Sequence, residues 1–173
     1  MKTTLLGFML AVACILTTHT VHAATDGKSR QEVLEELCAG KDAKSCYELA
    51  RTIEASSDKR EDLARVLELF DKSCTLGYAG GCVDLGYILT TRAKPYYTLR
   101  LYKEDDGRAL ELYYRACVMQ AEEGCNNYAT MYEHGRGTDE DVDLALYLYN
   151  AACELGSAKG CDNYKRLADT IEK

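Results

Sequence analysis

Four cysteine pairs constrain this chain more than any other feature of its sequence. Each pair encloses seven residues, and the pairs begin at Cys38, Cys74, Cys117 and Cys153. Successive pairs start 36, 43 and 36 residues apart. A fixed period of this length is typical of repeat arrays, in which one structural unit stacks on the next. The seven extra residues of the middle interval predict an insertion near 92–105.

Two other kinds of residue recur in register with the cysteines. Small residues lie four places after the second cysteine of the first three pairs, at Ala50, Gly86 and Ala129. Aromatic residues lie four places before the first cysteine of the last three pairs, at Phe70, Tyr113 and Tyr149. A small residue opposite an aromatic one lets two helices pack closely, so we expect the tyrosines of this set, with Tyr128 and Tyr132, in the core. Lys165 replaces the small residue in the last copy, as expected of a polar terminal cap.

Apolar residues at spacings of three and four predict eight helices and no strand. The expected ranges are 30–37, 45–55, 82–91, 106–117, 125–134, 139–153 and 160–172, with a further helix that ends at Cys74. Asp58 and Glu61 have the spacing of a capping box for that further helix. The only proline, Pro95, falls in the insertion, where it breaks no predicted helix.

The third copy shows the expected turn chemistry. Gly135 follows its first helix, where a left-handed residue commonly stops a helix. Thr138 or Asp139 is the expected N-cap of the helix that follows.

Residues 1–23 have the features of a secretory signal peptide. A lysine precedes a short apolar run, and small residues stand at Val21 and Ala23. The run is too short to span a membrane, so we expect cleavage near Ala23, a flexible lead over 24–29 and export to the periplasm or beyond the cell. Cys14 follows a poor lipoprotein motif, and lipid anchoring there is the alternative.

Cleavage would leave eight cysteines, all of them in the four pairs. In an exported chain such cysteines indicate disulfides, whereas zinc sites favour cysteines two to four apart with histidines, and only His134 would remain. We therefore expect neither a metal nor another cofactor. The net charge of −7 becomes −8 once the single lysine of residues 1–23 is lost. An acidic chain has no electrostatic attraction to nucleic acid or anionic lipid.

At the third copy the residues resemble a known family. Its pattern of LG-x-x-Y, G-x-G-x-x-x-D and A-x-x-x-Y-x-x-A-A is matched by Tyr128-Ala129-Thr130-Met131-Tyr132, Gly135, Gly137, Ala145, Tyr149, Ala151 and Ala152. The chain thus resembles the Sel-one-like repeats, relatives of the tetratricopeptide repeat. The cysteine spacing is similar to that of the secreted cysteine-rich branch known from Helicobacter. Over residues 30–173 the resemblance implies an all-α, right-handed solenoid of antiparallel helix pairs stapled by disulfides.

The repeat register selects one disulfide pairing among the 105 that eight cysteines allow. The first cysteine of each pair ends one helix and the second begins the next, and a short reversal between them can bring their Cα atoms close enough. The expected disulfides are Cys38–Cys46, Cys74–Cys82, Cys117–Cys125 and Cys153–Cys161.

One side of the first helix in each repeat is predicted to bind a partner. Placing the small residues inward leaves the positions two, five and nine after each second cysteine on another side, which in this class of repeat lines a concave groove. The residues of this inner face are Glu48, Arg51, Asp84, Tyr87, Asn127, Thr130, His134, Asn163 and Arg166. They are polar and of mixed charge, which suits hydrogen bonding to a peptide. A solvated surface without a partner is the alternative.

The insertion is aromatic for a loop, with Tyr96, Tyr97 and Tyr102. Two interpretations stand: it extends a helix and packs on a neighbour, or it projects as a partner-binding knob.

The sequence therefore predicts a monomeric, exported scaffold that binds a protein or peptide, with no catalytic residue. The resemblance implies an alternative, because members of that family have been described as binding penicillins and weakly hydrolysing β-lactams. Ser56 and Lys59 match S-x-x-K by letter, but they fall in an inter-helix turn, and the companion S-D-N and K-T-G motifs are missing from residues 24–173. We interpret the match as chance.

Overall fold

The structure is a computed structural model that describes residues 27–91, 96 and 105–171, and those residues form eight helices and no strand. The helices are α1 (Arg30–Ala39), α2 (Ala43–Ser56), α3 (Arg60–Thr75), α4 (Ala79–Thr90), α5 (Asp106–Val118), α6 (Glu122–Glu133), α7 (Val142–Glu154) and α8 (Ala158–Ile171). None of the helices in this part of the chain is long and apolar enough to cross a membrane.

Each helix packs mainly against the next one along the chain, and α6 also contacts α4 and α8. Two layers result, one of odd-numbered and one of even-numbered helices. Long side chains join neighbouring helices within the odd layer, where Arg65 pairs with Glu35 at 3.3 Å and Arg108 with Asp71 at 2.8 Å. The predicted all-α solenoid of stacked helix pairs is confirmed.

A disulfide closes the turn between α1 and α2, and three equivalent turns follow. The bonds join Cys38–Cys46, Cys74–Cys82, Cys117–Cys125 and Cys153–Cys161, with Cα–Cα distances of 4.4–4.7 Å. These distances lie within the range that a disulfide allows. The four pairs are those that the repeat register predicts.

The four disulfide turns share one backbone conformation. Three places after the first cysteine, the backbone is left-handed, with φ values of 68° at Lys41, 95° at Gly77, 60° at Gln120 and 105° at Gly156. In every copy the next amide reaches back to the carbonyl five residues earlier, at 2.9–3.0 Å, which is the Schellman arrangement. Two of these turns therefore hold a side chain where glycine is favoured.

The predicted pairing of small and aromatic residues explains how the two layers approach. A Cβ built on Gly86 would lie 2.8 Å from the ring of Tyr113, so the ring covers the glycine directly. Tyr113 and Tyr149 are buried, as expected, while Tyr128 and Tyr132 are half-buried and pack against the core from its edge.

The predicted capping box of Asp58 and Glu61 is wrong. Helix α3 begins at Arg60, its N-cap is Lys59, and no side chain caps it. The hydroxyl of Ser57 instead accepts a hydrogen bond from the Lys59 amide at 3.2 Å. The helix starts one residue later than the capping box requires, because the hydroxyl of Ser57 organises the turn.

The predicted N-cap of the third copy is also wrong. Asp141 caps α7, rather than Thr138 or Asp139, and accepts a hydrogen bond from the amide three residues on. The left-handed conformation predicted for Gly135 is found, with φ of 59°, and Gly137 adopts it too, with φ of 69°. The second left-handed residue lengthens the turn and moves the start of the helix.

Helix α1 begins with an arrangement that the sequence analysis did not predict. Ser29 was expected to belong to a flexible lead, and its side chain forms a capping box with Glu32. Residues 24–26 lie outside the described part of the chain.

Candidate binding surface

The residues of the inner face all lie on the even-numbered helices or immediately after them. Arg51, Tyr87, His134 and Arg166 are exposed, and the other five are half-buried. None of the nine is fully buried, so each presents part of its surface to solvent.

Side chains of the inner face join consecutive repeats. Nη1 of Arg51 on α2 lies 3.4 Å from Oδ2 of Asp84 on α4. Glu48 is paired at the N-terminal end of the same face, 3.4 Å from Arg30 and 3.9 Å from Lys44. The face is therefore a connected polar surface over the first two repeats.

A cleft of about 150 Å³ opens between α2 and α4 on this face. Its lining residues are Arg51, Glu54, Phe70, Asp84, Tyr87, Ile88 and Tyr96. Three of them belong to the predicted inner face, and we call this space the α2–α4 cleft. Tyr87 stands at its edge with 54 % of its surface exposed.

The insertion contributes one described residue to the α2–α4 cleft. Tyr96 is buried, with 1 % of its surface exposed, and its hydroxyl donates a hydrogen bond to Oε1 of Glu54 at 2.7 Å. This side chain packs inward on a neighbouring repeat and is not part of an exposed knob. Tyr97 and Tyr102 lie outside the described residues.

Two carboxylates of the cleft share one guanidinium. Nη1 of Arg51 lies 3.1 Å from Oε2 of Glu54, in addition to its contact with Asp84. Burial raises the pKa of the Asp84 carboxyl, even though Arg51 and a hydrogen bond from Tyr47 both oppose that shift. Burial, and then the charge of Asp84, raises the pKa of Tyr47 to about 12. The ionised Asp84 is thus incompletely compensated.

A second polar cluster joins α6 to α8. The two terminal nitrogens of Arg166, Nη1 and Nη2, each lie 2.8 Å from an oxygen of the Glu133 carboxylate, and the hydroxyl of Tyr149 donates to the same carboxylate at 2.6 Å. Burial would raise the pKa of the Glu133 carboxyl, but the hydrogen bonds from Arg166 and Tyr149 outweigh it and hold that pKa below its usual value. Glu133 is therefore a fixed anion at neutral pH.

Three amide side chains complete the second cluster. The side chain of Asn163 donates to Oδ1 of Asn126 at 2.9 Å, and Asn126 donates in turn to Oδ1 of Asn127 at 3.2 Å. Thr130 donates to the carbonyl of Asn126 at 3.0 Å, and Nδ1 of His134 lies 3.0 Å from the carbonyl of Thr130. This end of the inner face is held by amides and hydroxyls.

Four residues of the surface were not predicted. Glu54 and Glu133 stand eight places after the second cysteine of their copies, and Asp169 repeats the acid in the last copy. This recurrence of an acid at one repeat position could have predicted Glu54 and Glu133 from the sequence. Asn126 and Tyr47 stand one place after the cysteine, where no residue type recurs, so the sequence gives no signal for them.

The other chemistry considered from the sequence has little support in the geometry. Ser56 ends α2, and its hydroxyl donates to the backbone carbonyls of Thr52 at 3.0 Å and Ile53 at 3.1 Å. Lys59 is the N-cap of the next helix. Across residues 27–91, 96 and 105–171, no group of three histidine, cysteine or acidic side chains is placed to hold a metal ion.

Stacked helix pairs, a bridged turn in every copy and a polar face on one layer define a class. It is the class of Sel1-like repeats, whose fold this chain shares, with a disulfide in each of four described turns. The Sel1 repeat family model matches residues 96–117 and 122–157.

Solved structures share the fold. A Sel1 repeat protein from Oxalobacter formigenes superposes with a TM-score of 0.67 at 18 % identity, over 78 % of this chain and 96 % of that one. Cysteine rich protein B of Helicobacter pylori gives 0.56 at 21 % identity, over 79 % and 98 %. A protective antigen of uropathogenic Escherichia coli with an SLR fold gives 0.63 at 22 % identity, over 77 % of this chain and 27 % of that longer one. A comparison with curated proteins finds no match.

Proposed function

We propose that this protein is an exported scaffold whose inner face binds an extended peptide segment of a partner protein. The observation that carries the proposal is the α2–α4 cleft, which opens on that face beside the exposed ring of Tyr87. Exposed tyrosines beside a pocket are frequent anchors of protein interfaces. The ion pair of Arg51 and Asp84 next to the ring offers both signs of charge to a peptide backbone or side chain.

The inner face has further properties of a binding surface. Its side chains are held by contacts between repeats, as Arg166 is by Glu133, so little conformational entropy is lost when a ligand binds. Adjacent repeats are locked by packing and by a disulfide in each turn. A preorganised surface of this kind favours an extended segment that crosses several repeats.

The proposed place of action follows from the disulfides. Four bridges form and persist in an oxidising compartment outside the cytoplasm. Together with the signal-like residues 1–23, they support cleavage near Ala23 and action in the periplasm or outside the cell, where we propose that the protein is a monomer.

A selection from a random peptide library on the disulfide-bonded protein tests the proposal. We expect selected peptides to lose at least fivefold in affinity on Tyr87→Ala and on Asn127→Ala. Both variants should unfold within about 1 kcal/mol of wild type, because neither side chain is part of the core. Tyr147→Ala is the matched control, since Tyr147 lies on α7 in the odd layer with 69 % of its surface exposed.

Peptides that bind wild type and both inner-face variants equally, but lose affinity on Tyr147→Ala, would place the binding surface on the odd layer. Failure to select any peptide that depends on an inner-face residue would likewise reject the proposal.

A further inference from the structure

We propose that the α2–α4 cleft holds the basic side chain of a lysine or arginine in the bound peptide. The inference rests on the proposed function, because it names the chemistry that the same face recognises. It is carried by the cavity, by an excess of negative charge within it and by its aromatic wall.

The charges that line the cleft do not balance. Glu54 and Asp84 supply two carboxylates, and Arg51 supplies the single guanidinium. One nitrogen of that guanidinium serves both carboxylates, at 3.1 Å and 3.4 Å, so neither has a cation of its own. A second cation would complete the pairing.

The environment of Asp84 shows that the existing pairing is incomplete. Arg51 and Tyr47 both stabilise the ionised carboxylate. Burial destabilises it by more, so the pKa of Asp84 stays above its usual value. Glu123 adds further negative potential at this carboxylate. A cationic ligand would relieve both effects, whereas an anionic ligand would add to them.

The walls of the cleft suit the stem of a long basic side chain. Phe70 and Ile88 are buried and form apolar lining, and Tyr87 and Tyr96 line the same cleft as the two carboxylates. Lysine and arginine bury their methylene stems against such surfaces and keep the charged head at a polar rim. An aromatic ring beside the head adds a cation–π attraction.

The size of the cleft limits its occupant. A space of about 150 Å³ is comparable to an engineered protein cavity that holds one benzene molecule. It therefore accepts the end of one side chain, and the rest of the peptide must lie along the inner face outside it.

Binding of blocked pentapeptides tests the inference directly. The probes are Ac-Ala-Ala-Xaa-Ala-Ala-NH₂ with lysine, arginine, norleucine or glutamate at Xaa, titrated into the disulfide-bonded protein and followed by amide NMR shifts of Asp84 and Tyr87. We expect the lysine and arginine peptides to bind at least tenfold more tightly than the norleucine peptide, which has nearly the same stem without the charge. Tighter binding of the glutamate peptide, or equal binding of all four, would overturn the inference.

Three variants and a control assign the effect to the cleft. Asp84→Asn and Glu54→Gln should each weaken the lysine peptide at least fivefold and leave the norleucine peptide unchanged. Arg51→Met should strengthen the lysine peptide, because it frees both carboxylates, whereas a ligand that binds through its own carboxylate would be lost. Asp169→Asn, at the place equivalent to Glu54 in the last repeat, should change nothing.

The outcome separates this inference from the proposed function. Library peptides that depend on Tyr87 or Asn127 without enrichment in lysine or arginine would overturn the inference and leave the binding scaffold in place. Library peptides that depend on no inner-face residue would reject both.

Discussion

Arg136, in the loop between α6 and α7, donates two hydrogen bonds to the carboxylate of Asp106 at the start of α5: Nη2 lies 2.6 Å from Oδ1 and Nε lies 3.2 Å from Oδ2. The same guanidinium donates to the carbonyl of Thr90, the last residue of α4, at 3.0 Å. One side chain thus connects the two helices that flank the insertion with the loop of the next repeat.

The neighbouring Gly137 makes this contact possible. A Cβ on this residue would lie 2.5 Å from the carbonyl oxygen of Asp106 and 2.9 Å from the amide of Gly107, and its φ is 69°. We expect Gly137→Ala to lower the free energy of unfolding by about 1–3 kcal/mol, because it combines a backbone collision with left-handed strain. Gly107→Ala is the control: a Cβ on this helical glycine would make only an ordinary contact, 3.6 Å from Oδ1 of Asp105, so alanine should stabilise by up to about 1 kcal/mol. Urea unfolding of the oxidised protein measures both, and a neutral Gly137→Ala would contradict the close approach.

In the four disulfide turns, replacing a side chain by glycine should raise stability. Lys41 and Gln120 occupy the left-handed position that glycine occupies at Gly77 and Gly156. We expect Lys41→Gly and Gln120→Gly to raise the free energy of unfolding by a few tenths to about 1 kcal/mol, since relief of strain exceeds the added chain entropy. Gly77→Ala and Gly156→Ala should lower it, although nothing lies within 4 Å to collide with the new methyl group. Thermal unfolding in which both pairs shift in the same direction would reject the conformational explanation.

Reduction should reach the disulfides in an order set by burial. Cys38, Cys46, Cys74 and Cys82 are almost fully buried, whereas Cys153 and Cys161 are both half-buried. We expect limited reductant followed by alkylation to label the Cys153–Cys161 pair first.

Each bridge contributes about 2–3 kcal/mol by the chain-entropy estimate, so complete reduction should cause a large loss of helix. Peptide mapping by mass spectrometry identifies the labelled pair and checks the connectivity, and a linkage between different pairs would overturn the repeat register.

The Glu133 cluster predicts a dependence of stability on pH. Because the pKa of this carboxyl is lowered in the folded state, its contribution is complete above the unfolded value, about 4.3, and is lost as the pH falls through the folded value. Glu133→Gln should therefore cost stability at pH 7 and progressively less below pH 4. Asp169→Asn, exposed at the equivalent place, serves as the control, and denaturant unfolding at pH 7 and pH 3 measures the difference. A cost that stays constant over this range would contradict the assignment.

The β-lactam alternative is open to a direct test. The hydroxyl of Ser56 is engaged with two backbone carbonyls, so we expect only background turnover of a chromogenic cephalosporin by the homogeneous protein. Ser56→Ala should not change that rate. Sustained turnover that disappears in the variant would instead identify Ser56 as a nucleophile.

The fold could be predicted because its determinants repeat. The cysteine register locates the four disulfide turns, and the alternation of small and aromatic residues, as at Gly86 and Tyr113, identifies which helix sides meet. The helix starts were predicted less well. Tyr78 and Ala121 are N-caps without a side-chain hydrogen bond, so no residue signals where α4 and α6 begin.

The candidate binding surface could be predicted only in part. Its face follows from the repeat register, which places Asp84 and Asn127 at equivalent positions. The packing of Tyr96 on Glu54 could not be predicted, since it joins residues 42 apart through a segment that breaks the repeat. That contact supplies one wall of the α2–α4 cleft, and therefore the cleft itself was not foreseen.

The four disulfides in the described part of the chain each join neighbouring cysteines along the sequence, eight residues apart. A polypeptide that enters an oxidising compartment from its N-terminus presents the two members of each pair almost together. Once the proposed cleavage near Ala23 has removed Cys14, an oxidant that acts on cysteines in their order of arrival would therefore produce the native connectivity directly. Maturation would then depend on a thiol oxidase alone, with no disulfide isomerase needed to correct earlier bonds.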